Sequence, residues 1–149
     1  MTAGYSLSPF HKGYPQNIKT GIWASIVSAT MLVGIAIFWV VHPYAAEGSF
    51  KLVPDSDAAI GFSKIAALFK AVCDVLPPLF VFLAIRFGQF RLAGLFHIVT
   101  LLLVIIPDMV IWGLYVPNVG IFDILQHTPF AIPICVAAYY FLKPTPNNY

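Results

Sequence analysis

The stretch FKAVCDVLPP, residues 69–78, decides how the chain is organised. It lies within an apolar run that is typical of a membrane-spanning helix. Lys70 and Asp74 are four residues apart, so on a helix they share a face and can form an ion pair. Pro77 and Pro78 follow, and each removes a backbone N–H donor and tends to bend a helix. Ionisable residues inside a membrane are costly and usually mark function, so this pair is the first candidate site.

The composition indicates an integral membrane protein. Hydrophobic residues make up 60% of the 149-residue chain and charged residues only 9%, whereas soluble domains carry about 25% charged residues. The net charge of +2 is small and no run of basic residues occurs, so nucleic acid is not an expected partner.

Four apolar runs predict an all-α fold, a four-transmembrane-helix bundle that forms a single integral membrane domain over residues 1–149. The predicted helices cover residues 21–41, 57–87, 91–115 and 121–142. About 20 apolar residues are enough to cross the roughly 30 Å of hydrocarbon in a bilayer. Ser56 or Asp55 is the predicted N-cap of the second helix. Residues 1–20 are predicted to form a polar arm on the membrane surface.

The lysine and arginine residues predict how the bundle is oriented. Most of them lie in the N-terminal arm, in the turn after the second helix and in the C-terminal tail: Lys12, Lys19, Arg86, Arg91 and Lys143. The loop after the first helix carries only Lys51, and the loop after the third carries no basic residue. Both termini are therefore predicted to face the cytoplasm, with the protein in the inner membrane of a bacterium or the endoplasmic reticulum of a eukaryote.

Helix geometry brings ionisable residues of three predicted spans to one depth. Each lies about 24 Å along its helix from a basic residue at the predicted cytoplasmic end; these residues are Lys70, Asp108 and His127. Asp74 lies about one turn deeper and Asp123 about one turn shallower. Such groups titrate together in a low dielectric, which suits acid–base catalysis at neutral pH. The candidate catalytic residues are therefore Asp74, Asp108, His127, Lys70 and Asp123.

Three neighbouring residues are candidates for binding a substrate. Trp112 is four residues after Asp108 and shares its helix face. Gln126 lies towards the same side of the membrane, and Phe69 belongs to the stretch that carries the charged pair. No CxxC or HExxH spacing occurs, so neither a metal site nor a cofactor is predicted.

The same ionisable residues also have a structural interpretation. Lys70 and Asp74 can neutralise each other within one helix, and Asp123 and His127 have the same spacing. Structural ion pairs are common, so spacing alone does not decide between the two interpretations. His97 lies apart, in the other half of the third span, and is predicted to form a hydrogen bond that packs helices together.

Residues 58–142 carry a charged pair in the second helix, an Ile-Pro-Asp run at 106–108 in the third, and His127 early in the fourth. In these three features the chain resembles the small, four-helix, poorly characterised membrane proteins found in bacteria and fungi. That family usually has an arginine directly followed by an aspartate, whereas Lys70 and Asp74 are a turn apart. Some similar fungal proteins accompany polyketide or terpenoid pathways as epoxide hydrolases or cyclases. The resemblance therefore implies secondary-metabolite biosynthesis.

The leading hypothesis is a membrane-embedded enzyme that performs metal-free acid–base chemistry on a lipophilic small molecule: epoxide opening, cyclisation or isomerisation. A protonated acid, Asp108 or Asp74, would activate the substrate oxygen. Another carboxylate, with His127, would take a proton from water or an internal hydroxyl. Lys70 would hold a carboxylate ionised or stabilise a developing alkoxide.

Two other functions stay open at this point: a non-catalytic subunit or assembly factor of a larger membrane complex, and a proton or small-solute carrier. The expected partners are the lipid bilayer and, for an enzyme, the lipophilic substrate. A homo-oligomer is compatible with all three functions. A cavity at the depth of the ionisable residues would distinguish an enzyme from a subunit. An enzyme needs such a cavity, whereas a subunit would bury its ion pairs without one.

Overall fold

The structure is a computed structural model that describes residues 13–42, 55–116 and 118–144, with only the backbone of Trp112 and Asp123. Within these residues all regular structure is helical. The elements are α1 (Gln16–Val41), α2 (Asp57–Arg86), α3 (Phe90–Thr100), a π-helical segment (Leu101–Ile105), α4 (Ile106–Tyr115), α5 (Ile121–Leu125) and α6 (Thr128–Leu142). The chain runs from α3 through the π-helical segment into α4 as one long helix.

Three helices are long and apolar enough to cross a membrane: α1, α2 and the continuous helix from α3 to α4. Large apolar side chains cover their outer surfaces; Phe62 is 73% exposed and Leu103 is 71% exposed. A continuous apolar surface of this kind is unfavourable in water and matches the hydrocarbon of a bilayer. The predicted helical membrane protein is confirmed to this extent.

Two helix ends in the first half of the chain test the predicted boundaries. α1 begins at Gln16, five residues before the predicted start at residue 21, because polar residues continue the helix beyond the apolar run. Its 26 residues extend about 39 Å, more than the hydrocarbon thickness. At the start of α2, Ser56, one of the two predicted N-caps, is the N-cap, and its hydroxyl accepts a hydrogen bond from the Ala59 N–H at 3.3 Å. The predicted arm before residue 13 lies outside the described residues.

The fourth predicted helix, residues 121–142, is two helices in the structure. α5 ends at Leu125 and α6 begins at Thr128, with Gln126 and His127 between them. Pro129 explains the break, because it has no N–H to bond the Leu125 carbonyl and its ring crowds the preceding turn. A proline is well tolerated in the first turn of a helix, where it stands in α6. The 15 residues of α6 extend about 22 Å, which is too short to cross a bilayer alone.

Consecutive long helices run antiparallel. The start of α1, the end of α2, the start of α3 and the end of α6 meet at one end of the bundle, in a core that includes Ile22, Ile85, Ala93, Ala137 and Phe141. We call this the basic end, because the same helix ends carry Lys19, Arg86, Arg91 and Lys143. The described N-terminal and C-terminal ends of the chain therefore lie at the same end of the bundle.

Two glycines allow the end of α6 to fit between α1 and α3. A methyl group at Gly21 of α1 would lie 2.6 Å from the ring of Phe141, and one at Gly94 of α3 would lie 2.9 Å from Cγ of Leu142. Both distances are shorter than van der Waals contact, so larger residues at these positions would separate the helices. The basic end is therefore closely packed.

A buried hydrogen bond joins α1 to α3 beside this packing. Nε2 of His97 lies 2.8 Å from Oγ of Ser25, and the Ser25 hydroxyl donates its own hydrogen to the Gly21 carbonyl. Ser25 therefore accepts a hydrogen from Nε2 of His97. The predicted role of His97 as a helix-packing residue is confirmed.

Candidate functional site

Lys70 contacts two carboxylates that come from different helices. Its Nζ donates to Oδ1 of Asp74 at 2.5 Å, one turn further along α2. The same Nζ lies 3.0 Å from Oδ2 of Asp108 on α4. The spacing of four residues explains the first contact, since it places both side chains on one face of α2. We call Lys70, Asp74 and Asp108 the charge cluster.

The π-helical segment determines the direction in which Asp108 projects. The N–H of Ile106 bonds the carbonyl of Leu101, five residues back. In a regular α-helix the ring of Pro107 would clash with the carbonyl of Leu103, and the wider turn provides room for it. A π turn contains one extra residue, so the residues after it are rotated by about 100° around the axis. Asp108 owes its position facing Lys70 to that rotation.

A cavity of about 160 Å³, partly open to the outside, lies beside the charge cluster. Its polar lining consists of the charge cluster with Gln126 and His127. Its apolar lining comes from α1, the π-helical segment and α6: Leu32, Ile35, Phe38, Trp39, Ile105 and Phe130. A cavity of about 150 Å³ holds one benzene ring, whereas pockets for drug-sized ligands measure about 300–1,000 Å³. The cavity therefore has room for one ring-sized group.

The break between α5 and α6 supplies part of the polar lining. Gln126 and His127 form this break, and both line the cavity. Nδ1 of His127 lies 3.1 Å from the carbonyl oxygen of Ile124, which holds the imidazole close to its own backbone. His127 is also the N-cap of α6. The positive end of the α6 helix dipole thus lies at the cavity, where it favours negative charge.

Burial differs within the charge cluster. The side chain of Asp74 is 0% exposed, whereas the side chains of Lys70 and Asp108 are 26% and 22% exposed. Oδ2 of Asp74 has no hydrogen-bond partner among the described residues. Buried polar atoms nearly always have a hydrogen-bond partner. Oδ2 of Asp74 is therefore an atom whose hydrogen-bonding capacity is unused. When all three groups are ionised, the charge cluster carries one negative charge in excess.

The structure brings together five of the eight residues predicted for the site and places one of them, Phe69, outside it. Lys70, Asp74, Asp108, Gln126 and His127 line one cavity. Phe69 does not belong to its lining: the side chain is 71% exposed on the outside of α2, because adjacent helical residues point about 100° apart. The side chains of Trp112 and Asp123 lie outside the described part of the structure. The chemical roles of all these residues stay predictions.

The cavity wall on α1 was not predicted from the sequence. Trp39 lies near the end of the first apolar run, where aromatic residues are typical of the membrane interface, but it lines the cavity with Leu32 and Ile35. These residues follow a spacing of three and four, which puts them on one helix face. That spacing is the available sequence signal, and it is hidden because every residue from Met31 to Val41 is apolar or glycine.

No protein-family model matches the chain, and no curated protein or solved structure is a significant match to it. The resemblance to small four-helix membrane proteins therefore stays a prediction. In the part of the chain that the structure describes, no group of three or more His, Cys, Asp and Glu residues is arranged to hold a metal ion.

Proposed function

We propose that this protein is a membrane-embedded enzyme that performs acid–base chemistry on a lipophilic small molecule. The observation that carries the proposal is that the charge cluster, with Gln126 and His127, lines a cavity whose remaining lining is apolar or aromatic. A subunit of a larger complex would need its ion pairs neutralised, but not a cavity beside them. Enzyme sites commonly combine apolar walls with a few converging polar groups, as this cavity does.

The charge balance of the cluster suits an acid–base pair. Two carboxylates and one ammonium group leave one negative charge, which a single bound proton cancels. The carboxyl group that holds this proton is a general acid, and the other carboxylate is a general base. Paired carboxyl groups that share a proton are a common solution for acid–base catalysis. A positioned acid or base contributes about 10²–10⁴-fold to the rate.

Epoxide opening illustrates the proton balance. The acid gives its proton to the epoxide oxygen while the carbon–oxygen bond breaks. A water molecule forms the new bond to carbon and gives a proton to the base, assisted by His127. The cluster ends with the same single proton on the other carboxyl group, and Lys70 neutralises the carboxylate that remains. An internal hydroxyl in place of water gives cyclisation, and proton loss from carbon gives isomerisation.

The membrane topology that fits this function has four crossings with both termini in the cytoplasm. The basic end then faces the cytoplasm, as the distribution of lysine and arginine favours. α5 and α6 together form the fourth crossing, which is interrupted at Gln126 and His127. Non-helical backbone is tolerated within a membrane where it lines a cavity, which is where these two residues lie. The membrane is the inner membrane of a bacterium or the endoplasmic reticulum of a eukaryote.

Conversion of lipophilic compounds by the purified protein in lipid nanodiscs tests the proposal. The compounds are ring-sized epoxides and unsaturated alcohols, and mass spectrometry detects the products. The wild-type protein should convert at least one compound, and Asp108→Asn should convert it about 10²–10⁴-fold more slowly. Asp57→Asn is the matched control, because Asp57 is exposed in the first turn of α2. Conversion of no compound, or equal rates for the two variants, would contradict the proposal.

A further inference from the structure

We infer that Asp74 is the acid of this site and that it binds a neutral, ring-sized lipophile through an acceptor oxygen, such as that of a ketone, ether or epoxide. The inference rests on the proposed function and names both the acid and the class of substrate. Three observations support it: an unsatisfied atom, a difference in burial and the nature of the cavity walls.

The unsatisfied atom is Oδ2 of Asp74. The other oxygen, Oδ1, already accepts a hydrogen bond from Lys70. Oδ2 is buried and has no partner among the described residues, while Asp74 lines the cavity. A buried polar atom without a partner costs about 1–3 kcal/mol, and more if it is charged. A ligand in the cavity that Asp74 lines would supply this partner.

The difference in burial assigns the proton to Asp74. A charge removed from solvent is costly, and Asp74 is 0% exposed whereas Asp108 is 22% exposed. Lys70 needs only one anion for a neutral pair, and Asp108 provides it at 3.0 Å. Asp74 can then be a neutral acid whose carbonyl oxygen is Oδ1 and whose hydroxyl is Oδ2. This arrangement cancels the excess negative charge of the cluster.

The nature of the walls defines the ligand. A hydroxyl group at Oδ2 needs an acceptor, which an oxygen with lone pairs supplies and a hydrocarbon or an ammonium ion does not. The lining also contains the apolar and aromatic side chains of Phe38, Trp39 and Phe130. The volume of about 160 Å³ accommodates one six-membered ring. A ring that carries an acceptor oxygen can bond the Asp74 hydroxyl and contact the apolar lining.

Infrared difference spectroscopy on the protein in lipid nanodiscs at neutral pH tests where the proton is. The wild-type protein should show the C=O stretching band of a protonated carboxyl group. Asp74→Glu should shift this band, because the residue that carries the proton changes, whereas the matched variant Asp108→Glu should leave it in place. Absence of the band in the wild type, or a band that only Asp108→Glu shifts, would overturn the assignment.

Two probes of similar size test the class of ligand on the wild-type protein. Tetrahydropyran should shift the carboxyl band to lower frequency, because its ether oxygen accepts a hydrogen bond from Asp74 and it has no C=O band of its own. Methylcyclohexane fills the same volume without an acceptor and should leave the band unshifted. An equal effect of both probes, or no effect of either, would overturn recognition through an acceptor oxygen. This comparison needs no variant, so it remains decisive if Asp74→Glu does not fold.

The two proposals fail in different ways. If the carboxyl band behaves as expected but the protein converts no compound, the proposed enzymatic function is contradicted. The proposed binding site with a protonated Asp74 would remain. If the protein converts a substrate but shows no carboxyl band, the role of Asp74 as the acid is contradicted. The proposed enzymatic function would remain.

Discussion

Nζ of Lys70 lies 3.0 Å from Oδ2 of Asp108, which connects the middle of α2 to the first turn of α4. The same ammonium group contacts Asp74 on its own helix. Lys70 therefore contacts carboxyl groups of two helices at once, in a part of the protein that is flanked by apolar side chains. This one lysine links α2 to α4 beside the cavity.

Replacing Lys70 by methionine should destabilise the protein, because the two carboxyl groups of the charge cluster would lose the only cation that they contact in the described structure. Methionine keeps the length and the helix propensity of the side chain and removes its charge. Removal of one partner from a buried ion pair costs about 3–5 kcal/mol. Because Lys70 is 26% exposed, we expect a loss near the lower end, about 3 kcal/mol. The measurement is the thermal unfolding midpoint in detergent.

Lys64→Met is the control for this loss. Lys64 lies on the same helix, but its side chain is exposed, and surface ion pairs contribute about 0–1 kcal/mol. If the two variants unfold at the same temperature, the charge cluster does not stabilise the bundle.

Replacing Gly21 by alanine should also destabilise the protein, through packing rather than charge. The new methyl group would lie 2.6 Å from the ring of Phe141, which is 2% exposed and cannot move freely. Overpacking of this kind costs about 1–3 kcal/mol. At Gly34, on the same helix, a methyl group meets no atom within 4 Å. Gly34→Ala should therefore stabilise α1, by up to about 1 kcal/mol, and equal unfolding midpoints for the two variants would contradict the close contact of α1 with α6.

Much of this arrangement could be predicted from the sequence, because it follows from regular helix geometry. The spacing of Lys70 and Asp74 placed them on one face of α2, where they form an ion pair. Counting helix rise from the basic residues placed Asp108 and His127 at the depth of Lys70, and all of them line one cavity. Apolar runs of about 20 residues were sufficient to locate three long helices.

The irregular backbone could not be predicted in the same way. The π-helical segment before Pro107 and the break at Gln126 and His127 interrupt runs of apolar residues that give no periodic signal. Prolines 107 and 129 indicate that the hydrogen bonding changes nearby, but a proline can be accommodated by a bend, a wider turn or a new helix start. The packing of neighbouring helices selects between these outcomes. Both irregularities lie at the cavity, so the sequence was least informative at the site itself.

Labelling of introduced cysteines tests the membrane topology. Asp55→Cys lies just before α2 and Lys143→Cys lies just after α6, and both positions are exposed. In the proposed topology they face opposite sides of the membrane. An impermeant maleimide added to intact cells should therefore label only one of them, and both after the membrane is permeabilised. To exclude the native thiols, the background should carry Cys73→Ser and Cys135→Ser. Labelling of both positions from the same side would contradict a fourth crossing.

The most direct test of the central claim, that the charge cluster is one acid–base site, is the turnover rate of three variants: Asp74→Asn, Asp108→Asn and the double variant. Each rate is measured on a converted compound and divided by the amount of folded protein. Residues that act as a unit show strongly non-additive losses. We therefore predict that the double variant is about as slow as the slower single variant. Losses that multiply in the double variant, or rates that remain at the wild-type value, would contradict a single site.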